Sequence, residues 1–302
     1  MIARLLLAAW LAAGSTCAWA DQPTNADDTA ESAGHAATRG ILFEIHSPSG
    51  APPSFLFGTI HSEDVRVVEL PAPVREAFDR SPSVALEVVP DASAIIRAMV
   101  TMAYTDGRLL RDVLPADLYQ ETAAALGGIG MPEEAFKDLK PWAVATLLSS
   151  PPSETGEFLD MLLFRRAVAD GKRVEGLETM TEQLTVFDAL PESDQITLLR
   201  ETLASRDQLP RIFEALTAAY LKRDIDELQR LSEQHLADSD PRLAALFQRV
   251  VIDSRNLRMV ERMAPLLDEG GWFIAIGALH LPGDQGVVAL LRQRNHRVTV
   301  AF

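Results

Sequence analysis

The chain has 302 residues, 43 of them acidic and 28 basic, for a formal charge of −15. A surface with that balance repels a polyphosphate, which excludes nucleic-acid binding as a function class. Cys17 is the lone cysteine, so a disulfide scaffold is excluded, and no Gly-x-Ser-x-Gly elbow, glycine-rich phosphate loop or His-Glu-x-x-His motif is present.

The first residues, MIARLLLAAWLAAGSTCAWA, combine a basic Arg4, an apolar run from Leu5 to Ala13 and the small-x-small sequence Ala18-Trp19-Ala20. This pattern predicts an export signal over residues 1–20, cleaved after Ala20, and a mature protein in the periplasm or secreted. The run is too short to span a bilayer, which takes about 20 residues, and membrane contact after cleavage is not expected. A lipid-modified Cys17 is the competing reading, but Gly14 stands where that pathway usually has leucine. Residues 21–39 carry no large apolar side chain and predict a disordered leader.

From residue 40 to 302 the pattern is that of an α/β domain. Ile41 to Ile45 and Ser54 to Ile60 are β-rich runs joined by SPSGAPP, a hairpin loop by composition. Pro71 to Arg80 predicts a helix and SVALEVV, from Ser83 to Val89, a buried strand. Residues 91–268 then read as a largely helical insertion, interrupted by one strand, KRVEGL, from Lys172 to Leu177. Arg242 to Leu267 predicts a single long amphipathic helix. Trp272 to Ile276, Asp284 to Arg294 and Arg297 to Phe302 read as strand, helix and closing strand. The expected fold is therefore α/β: a central mixed sheet built from both halves of the chain, with a weak two-fold repeat and an inserted helical region. Trp142 and Trp272 are candidates to line a crevice, with core packing the expected use.

The repeat rests on FGTIH and IGALH, in which an apolar strand delivers Gly-x-x-His, with Gly58 and His61 in one and Gly277 and His280 in the other. Asp64 and Asp284 are read as the acidic residues before the helices that follow. In α/β sheets ligands gather beyond the carboxyl ends of the strands, where both histidines fall. Imidazole supplies a neutral nitrogen ligand or a base that works near pH 7. Glu87 is an acid inside an apolar strand and calls for a cation, a metal or a hydrogen-bond cluster. Glu175 and Glu178 bring further carboxylates to the end of another strand. Two histidines with one or two carboxylates form an N/O ligand set for a divalent metal such as Mn²⁺, Co²⁺ or Zn²⁺, and spacing does not choose among them. Arg255 and Asn256 lie on the long helix just before the second Gly-x-x-His strand, where a guanidinium can pair with Glu87 or clamp a substrate.

The segments FLFGTIH, LPAPVREAFDRSPSVALEV, GLETMTEQL, DSRNLRM and FIAIGALHLPGDQGVVALLRQRNHRVTV resemble, in that order, the TraB/PrgY/GumN family, to which the animal Tiki proteases are similar. The resemblance covers essentially residues 40–302. It implies a fold like that of the erythromycin esterase and ChaN groups, and a metal-dependent protease supported by Mn²⁺ or Co²⁺. His61, Glu87 and His280 would then be metal or catalytic groups, with Arg255 and Asn256 matching the family's Arg-Asn pair. Tiki proteins are membrane-anchored, whereas residues 1–20 read as a cleavable signal, and TraB-like proteins are linked to peptide-pheromone shutdown, so the substrate does not transfer. The leading expectation is an exported metal-dependent hydrolase acting on a peptide or protein substrate. Its alternative is a non-catalytic envelope protein that captures a peptide or haem.

Overall fold

The six residues Trp272–Gly277 (β5) are apolar without interruption, and the first five are fully buried. A strand can carry such a run only if both of its faces are covered, which places it at the centre of a parallel sheet with helices on either side. The computed structural model describes residues 39–90, 92–150, 155–236 and 239–302 and puts β5 there. The other strands are Leu42–His46 (β1), Ser54–Thr59 (β2), Ser83–Val88 (β3), Arg173–Glu178 (β4) and Arg297–Val300 (β6), in the spatial order β4-β3-β5-β2-β1-β6. The expected signal and its cleavage site, Cys17 and residues 21–38 lie outside the described residues. Arg39, the last residue of the expected leader, bridges to Asp224.

β5 slots between β2 and β3, two strands from the other end of the chain, and is parallel to both. β4 is parallel to β3, so the carboxyl ends of β2, β5, β3 and β4 open on one edge of the sheet. β1 and β6 run antiparallel to their neighbours and complete the mixed sheet on the other side. Both edge strands are studded with charge, Arg173 and Glu175 on β4 and Arg297 on β6, which blunts strand-to-strand aggregation.

Between β3 and β5 the elements among the described residues are helical except for β4. Most of the buried apolar side chains among the described residues fall into two clusters. One surrounds the sheet; the other is formed by the helical region around Trp142, Phe187 and Phe247. Val88, at the end of β3, belongs to the helical cluster, and Leu279, beside His280, packs against both. The carboxyl edge of the sheet is therefore the seam between two cores. Trp142 and Trp272 are wholly buried, as core residues.

The sequence pattern departs from the structure in two places. Pro241–Phe247, a π-helical segment Gln248–Asp253 and Ser254–Glu269 follow without a break where one regular helix is expected. Periodic apolar residues do not reveal a turn widened by one residue. The second departure is in the repeat. In the β2–β5 register Gly58 faces Ile276, and Thr59 faces Gly277, so the two motifs are offset by one residue. Asp64 caps the short helix Val65–Val68, but the last helix, Val287–Gln293, is entered from Gly286 and not from Asp284.

Neither motif glycine needs a left-handed backbone. Gly58 is required for close approach: a Cβ there would lie 2.6 Å from Leu281 Cδ1 and 3.2 Å from the Cα of Ala278, in the turn that carries His280. Gly58→Ala is expected to destabilise the protein by about 1–3 kcal/mol through overpacking, read from the urea midpoint of unfolding.

Candidate functional site

The end of β3 brings Glu87 to the seam, where its two oxygens are held from three directions. Oε1 accepts from Gln183 Nε2 at 2.8 Å and from the Arg255 guanidinium; Oε2 accepts from the Gly277 backbone N–H at 3.0 Å. Arg255 reaches this point from the helix Ser254–Glu269 and is 1% exposed. Its Nε donates to Glu178 Oε2 at 2.8 Å, and Arg258 Nη1 donates to the other oxygen of Glu178 at 3.0 Å. One buried guanidinium thus ties β3, β4 and the long helix together.

Burial alone would raise both carboxyls, and the balance differs between them. At Glu87 the charge of Arg255, helped by the Gly277 N–H, overcomes burial and holds the carboxyl below the ordinary range. At Glu178 burial wins, aided by the like charge of Glu87 and opposed by Arg255, and the carboxyl rises. Arg255 itself is depressed by burial but raised more by the two carboxylates, and it stays charged.

His280 lies on the 3-10 turn Ala278–His280 that directly follows β5 and is completely buried. Its Nδ1 is 2.6 Å from Asn256 Oδ1, while Asn256 Nδ2 donates to the Gln285 carbonyl at 2.8 Å. The amide orientation leaves an acceptor facing the ring, so Nδ1 carries the proton and Nε2 presents a lone pair. That Nε2 is buried and has no hydrogen-bond partner among the described residues. Burial, then the charge of Arg255, depresses the imidazole to about 4, against the opposing pull of Glu87. At neutral pH His280 is an uncharged nitrogen donor. Beside it, a Cβ on Gly277 would lie 3.5 Å from both Glu87 Oε2 and His280 Cδ2; the glycine leaves that space open between the two functional groups.

His61 lies just past β2, on the same sheet edge, but has partners of its own. Its ring stacks on Phe158 with centroids 3.7 Å apart, and Nδ1 lies 3.7 Å from Asp160 Oδ2. That is an electrostatic contact too long for a hydrogen bond. Thr59 Oγ1 donates to the other oxygen of Asp160 at 2.7 Å and fixes the carboxylate. Tyr220 closes this region by donating its hydroxyl to the Gly58 carbonyl at 3.0 Å.

The structure therefore brings Glu87, Glu178, Arg255, Asn256, Gly277 and His280 into one network, and leaves His61 with Asp160 in a second. Glu175 is outside both, paired with Arg173 at the surface. Asp160, Phe158, Gln183 and Arg258 are site residues that sequence reasoning missed. Asp160 and Gln183 stand on amphipathic helices where a polar residue ordinarily faces water, and only the motif GLETMTEQL, which contains Gln183, signalled one of them.

As to a metal, the donors fit in kind: a buried imidazole nitrogen with an unpartnered lone pair, a second imidazole, and an ionised carboxylate. They do not form a closed set, since no group of three or more His, Cys, Asp or Glu among the described residues is gathered to hold an ion.

A sequence model of the TraB/PrgY/gumN family matches residues 41–300. The chain belongs to the TraB/PrgY/gumN family. Among curated proteins it is similar to Metalloprotease TIKI1 of Danio rerio, 26% identical over 299 residues, covering 82% of this chain and 60% of that protein. Metalloprotease TIKI1 of Homo sapiens is 26% identical over 300 residues, covering 82% and 59%. An uncharacterized protein of Treponema pallidum (strain Nichols) is 21% identical over 273 residues, covering 84% and 80%. The chain thus spans about 60% of the length of the TIKI relatives it matches. No solved structure matches it.

Two outcomes follow from the buried charges. Arg255→Met leaves Glu87 without its cation and Glu178 with Arg258 alone, and is expected to cost about 3–5 kcal/mol in denaturant unfolding, part of it recovered when Glu178→Gln is added. In the presence of a chelator, His280 binds its proton in the unfolded chain near pH 6.5 but in the folded chain only near 4. Its contribution to stability is complete above about pH 6.5 and is lost as the pH falls through that window, about 3 kcal/mol in all. The difference between wild type and His280→Asn across a pH series of urea titrations measures it.

Proposed function

We propose that the chain is an exported, metal-dependent peptidase that works at the seam between its two cores. The observation that carries the proposal is the lone pair on His280 Nε2: buried, unpartnered, held in one tautomer by Asn256, and next to the ionised Glu87. The metalloprotease relatives named above support the same reading. The export part rests on the pattern of residues 1–20. No helix among the described residues is long and apolar enough to cross a membrane.

His280, Glu87 and His61 are the residues that would hold a divalent ion. When bound, such an ion supplies Lewis acidity, polarising a carbonyl and lowering the pKa of water. The chain's own groups do the rest. Arg255 keeps Glu87 ionised, so that this carboxylate can act as a ligand or accept a proton at Oε2. Gln183 and the Gly277 N–H fix its orientation. The guanidinium points its donors at Glu87, Glu178 and the Val251 carbonyl, so its contribution is to position the carboxylates and not to grip a substrate. Asn256 and Asp160 each face an Nδ1, which directs the two Nε2 atoms away from their anchors.

The test is metal binding and peptide cleavage on the purified protein. Stripped protein reloaded with Mn²⁺, Co²⁺ or Zn²⁺ is expected to retain an ion through gel filtration and to cleave a quenched peptide pool, with both properties lost in His280→Ala. Cleavage that survives both chelator and His280→Ala would falsify the proposal. Asn256→Ala and Asp160→Ala, which free the Nδ1 side of each ring, are each expected to weaken metal affinity 10–100-fold in equilibrium dialysis.

A further inference from the structure

The chain from Ile60 to Asp64 belongs to no helix or strand, so no helix or sheet ladder fixes the imidazole of His61. What holds the ring comes from a segment distant in the chain. Phe158 stacks on it and Asp160 faces Nδ1, and both stand where the chain enters the helix Leu159–Ala169. A phenyl ring forms no hydrogen bond of its own, so its place depends on how the chain is held on either side of it. On one side Thr59 anchors Asp160.

On the other side the anchor is Glu63, two residues past His61. Its Oε1 accepts from the Gly156 N–H at 2.8 Å and its Oε2 from the Thr155 N–H at 2.9 Å. Successive N–H groups turned the same way by a left-handed residue make a cradle for an anion, and Gly156, at φ 72°, supplies that residue. Bonds of this kind to an ionised acceptor are roughly twice as strong as neutral ones. A further link, from the Leu159 N–H to the Ser62 carbonyl, is longer, at 3.3 Å. Glu63 is itself steadied by its neighbours, because the Asp64 N–H donates to Ser62 Oγ at 3.1 Å and Asp64 caps the helix Val65–Val68. The loop that carries His61 thus holds the segment that carries Phe158.

We propose that Glu63 is a positioning residue: its grip on Thr155 and Gly156 seats Phe158 against the His61 ring and so fixes the direction of His61 Nε2. It acts on the imidazole through Phe158 and not by touching it. As a statement about metal affinity the inference rests on the metal-dependent reading; as a statement about the ring it does not. Two substitutions loosen the clasp by different routes. Glu63→Gln keeps the size but turns an amide donor toward one of the two N–H groups. Gly156→Ala keeps the carboxylate and adds a Cβ that meets nothing within 4 Å, so that its effect comes from the left-handed backbone alone.

The experiment is NMR on the full-length protein with isotope-labelled histidine, in the presence of a chelator and at about pH 9, well above the ordinary imidazole pKa of about 6.5. The His61 ring signals, identified by their loss in His61→Ala, are expected upfield of free histidine, as protons over an aromatic face are, and to move back toward it in Glu63→Gln and Gly156→Ala. His46 and His296, at the opposite edge of the sheet, report that each variant is folded. In equilibrium dialysis with Zn²⁺ both variants are expected to bind about 10–100-fold more weakly than wild type. Added to His61→Ala, Glu63→Gln should change the affinity by less than about twofold, which a merely structural role would not produce. Ring signals that stay in place in both variants, or an affinity loss that persists without His61, would overturn the inference. If the ring signals move as stated but wild type retains no ion, the metal-dependent reading fails alone. If wild type binds Zn²⁺ through His61 and neither variant moves the ring, this inference fails alone.

Discussion

The arrangement at the sheet edge depends on one guanidinium in a place that water hardly reaches. Arg255 is almost wholly buried, and a cation there is tolerable only because Glu87 and Glu178 face it from two neighbouring parallel strands. The converse holds equally: two acids side by side in the seam would repel each other without it. The three groups thus need each other, and the need fixes how the long helix docks on β3 and β4. Such a trio contributes less to net stability than its contacts suggest, because desolvation opposes each one. What it secures is the charge on Glu87, kept ionised where an isolated buried carboxyl would be protonated.

The two histidines obey a common rule in different surroundings. Each has an oxygen acceptor facing Nδ1, Asn256 for His280 and Asp160 for His61, and each therefore turns Nε2 the other way. The contacts differ in kind. A neutral amide at 2.6 Å in a buried setting fixes a tautomer and leaves the ring uncharged, whereas a carboxylate at 3.7 Å supplies a field and the stacked Phe158 ring supplies the orientation. The offset of one residue between the Gly-x-x-His motifs follows from this. His280 sits on a tight turn packed under Gly58, while His61 sits on the irregular chain between β2 and the cap at Asp64.

The inner strands were legible because each is a mainly apolar run too short for a helix, ended by glycine, proline or charge, and their mixed sheet was legible from their positions in both halves of the chain. Glu87 stood out because an acid inside such a run needs a partner, and Arg255 because it lies on the long helix that precedes β5. Asp160 and Gln183 did not stand out, because a polar residue on an amphipathic helix looks the same whether it faces water or a buried histidine. Gly58 and Gly277 looked alike and serve different ends, close packing in one case and open space in the other. Nothing in a single sequence separates those uses; only the neighbouring strand does.

The π-helical segment matters for a reason that reaches past local geometry. Arg255 and Asn256 are consecutive, so on a helix they diverge by about 100°, and one faces the carboxylate pair while the other faces the His280 ring. For both to reach their partners, the helix must enter Ser254–Glu269 at one particular rotation. The wide turn over Gln248–Asp253 adds a residue just before it and changes that rotation relative to Pro241–Phe247, whose apolar face remains packed in the helical core. The same extra residue leaves Gln248, Ile252 and Asp253 along a cleft where a regular helix would have placed them differently. One irregularity of the backbone thus sets the orientation of the buried cation, the tautomer of His280 and the wall of the neighbouring groove, and a change that regularised the turn would disturb all three together.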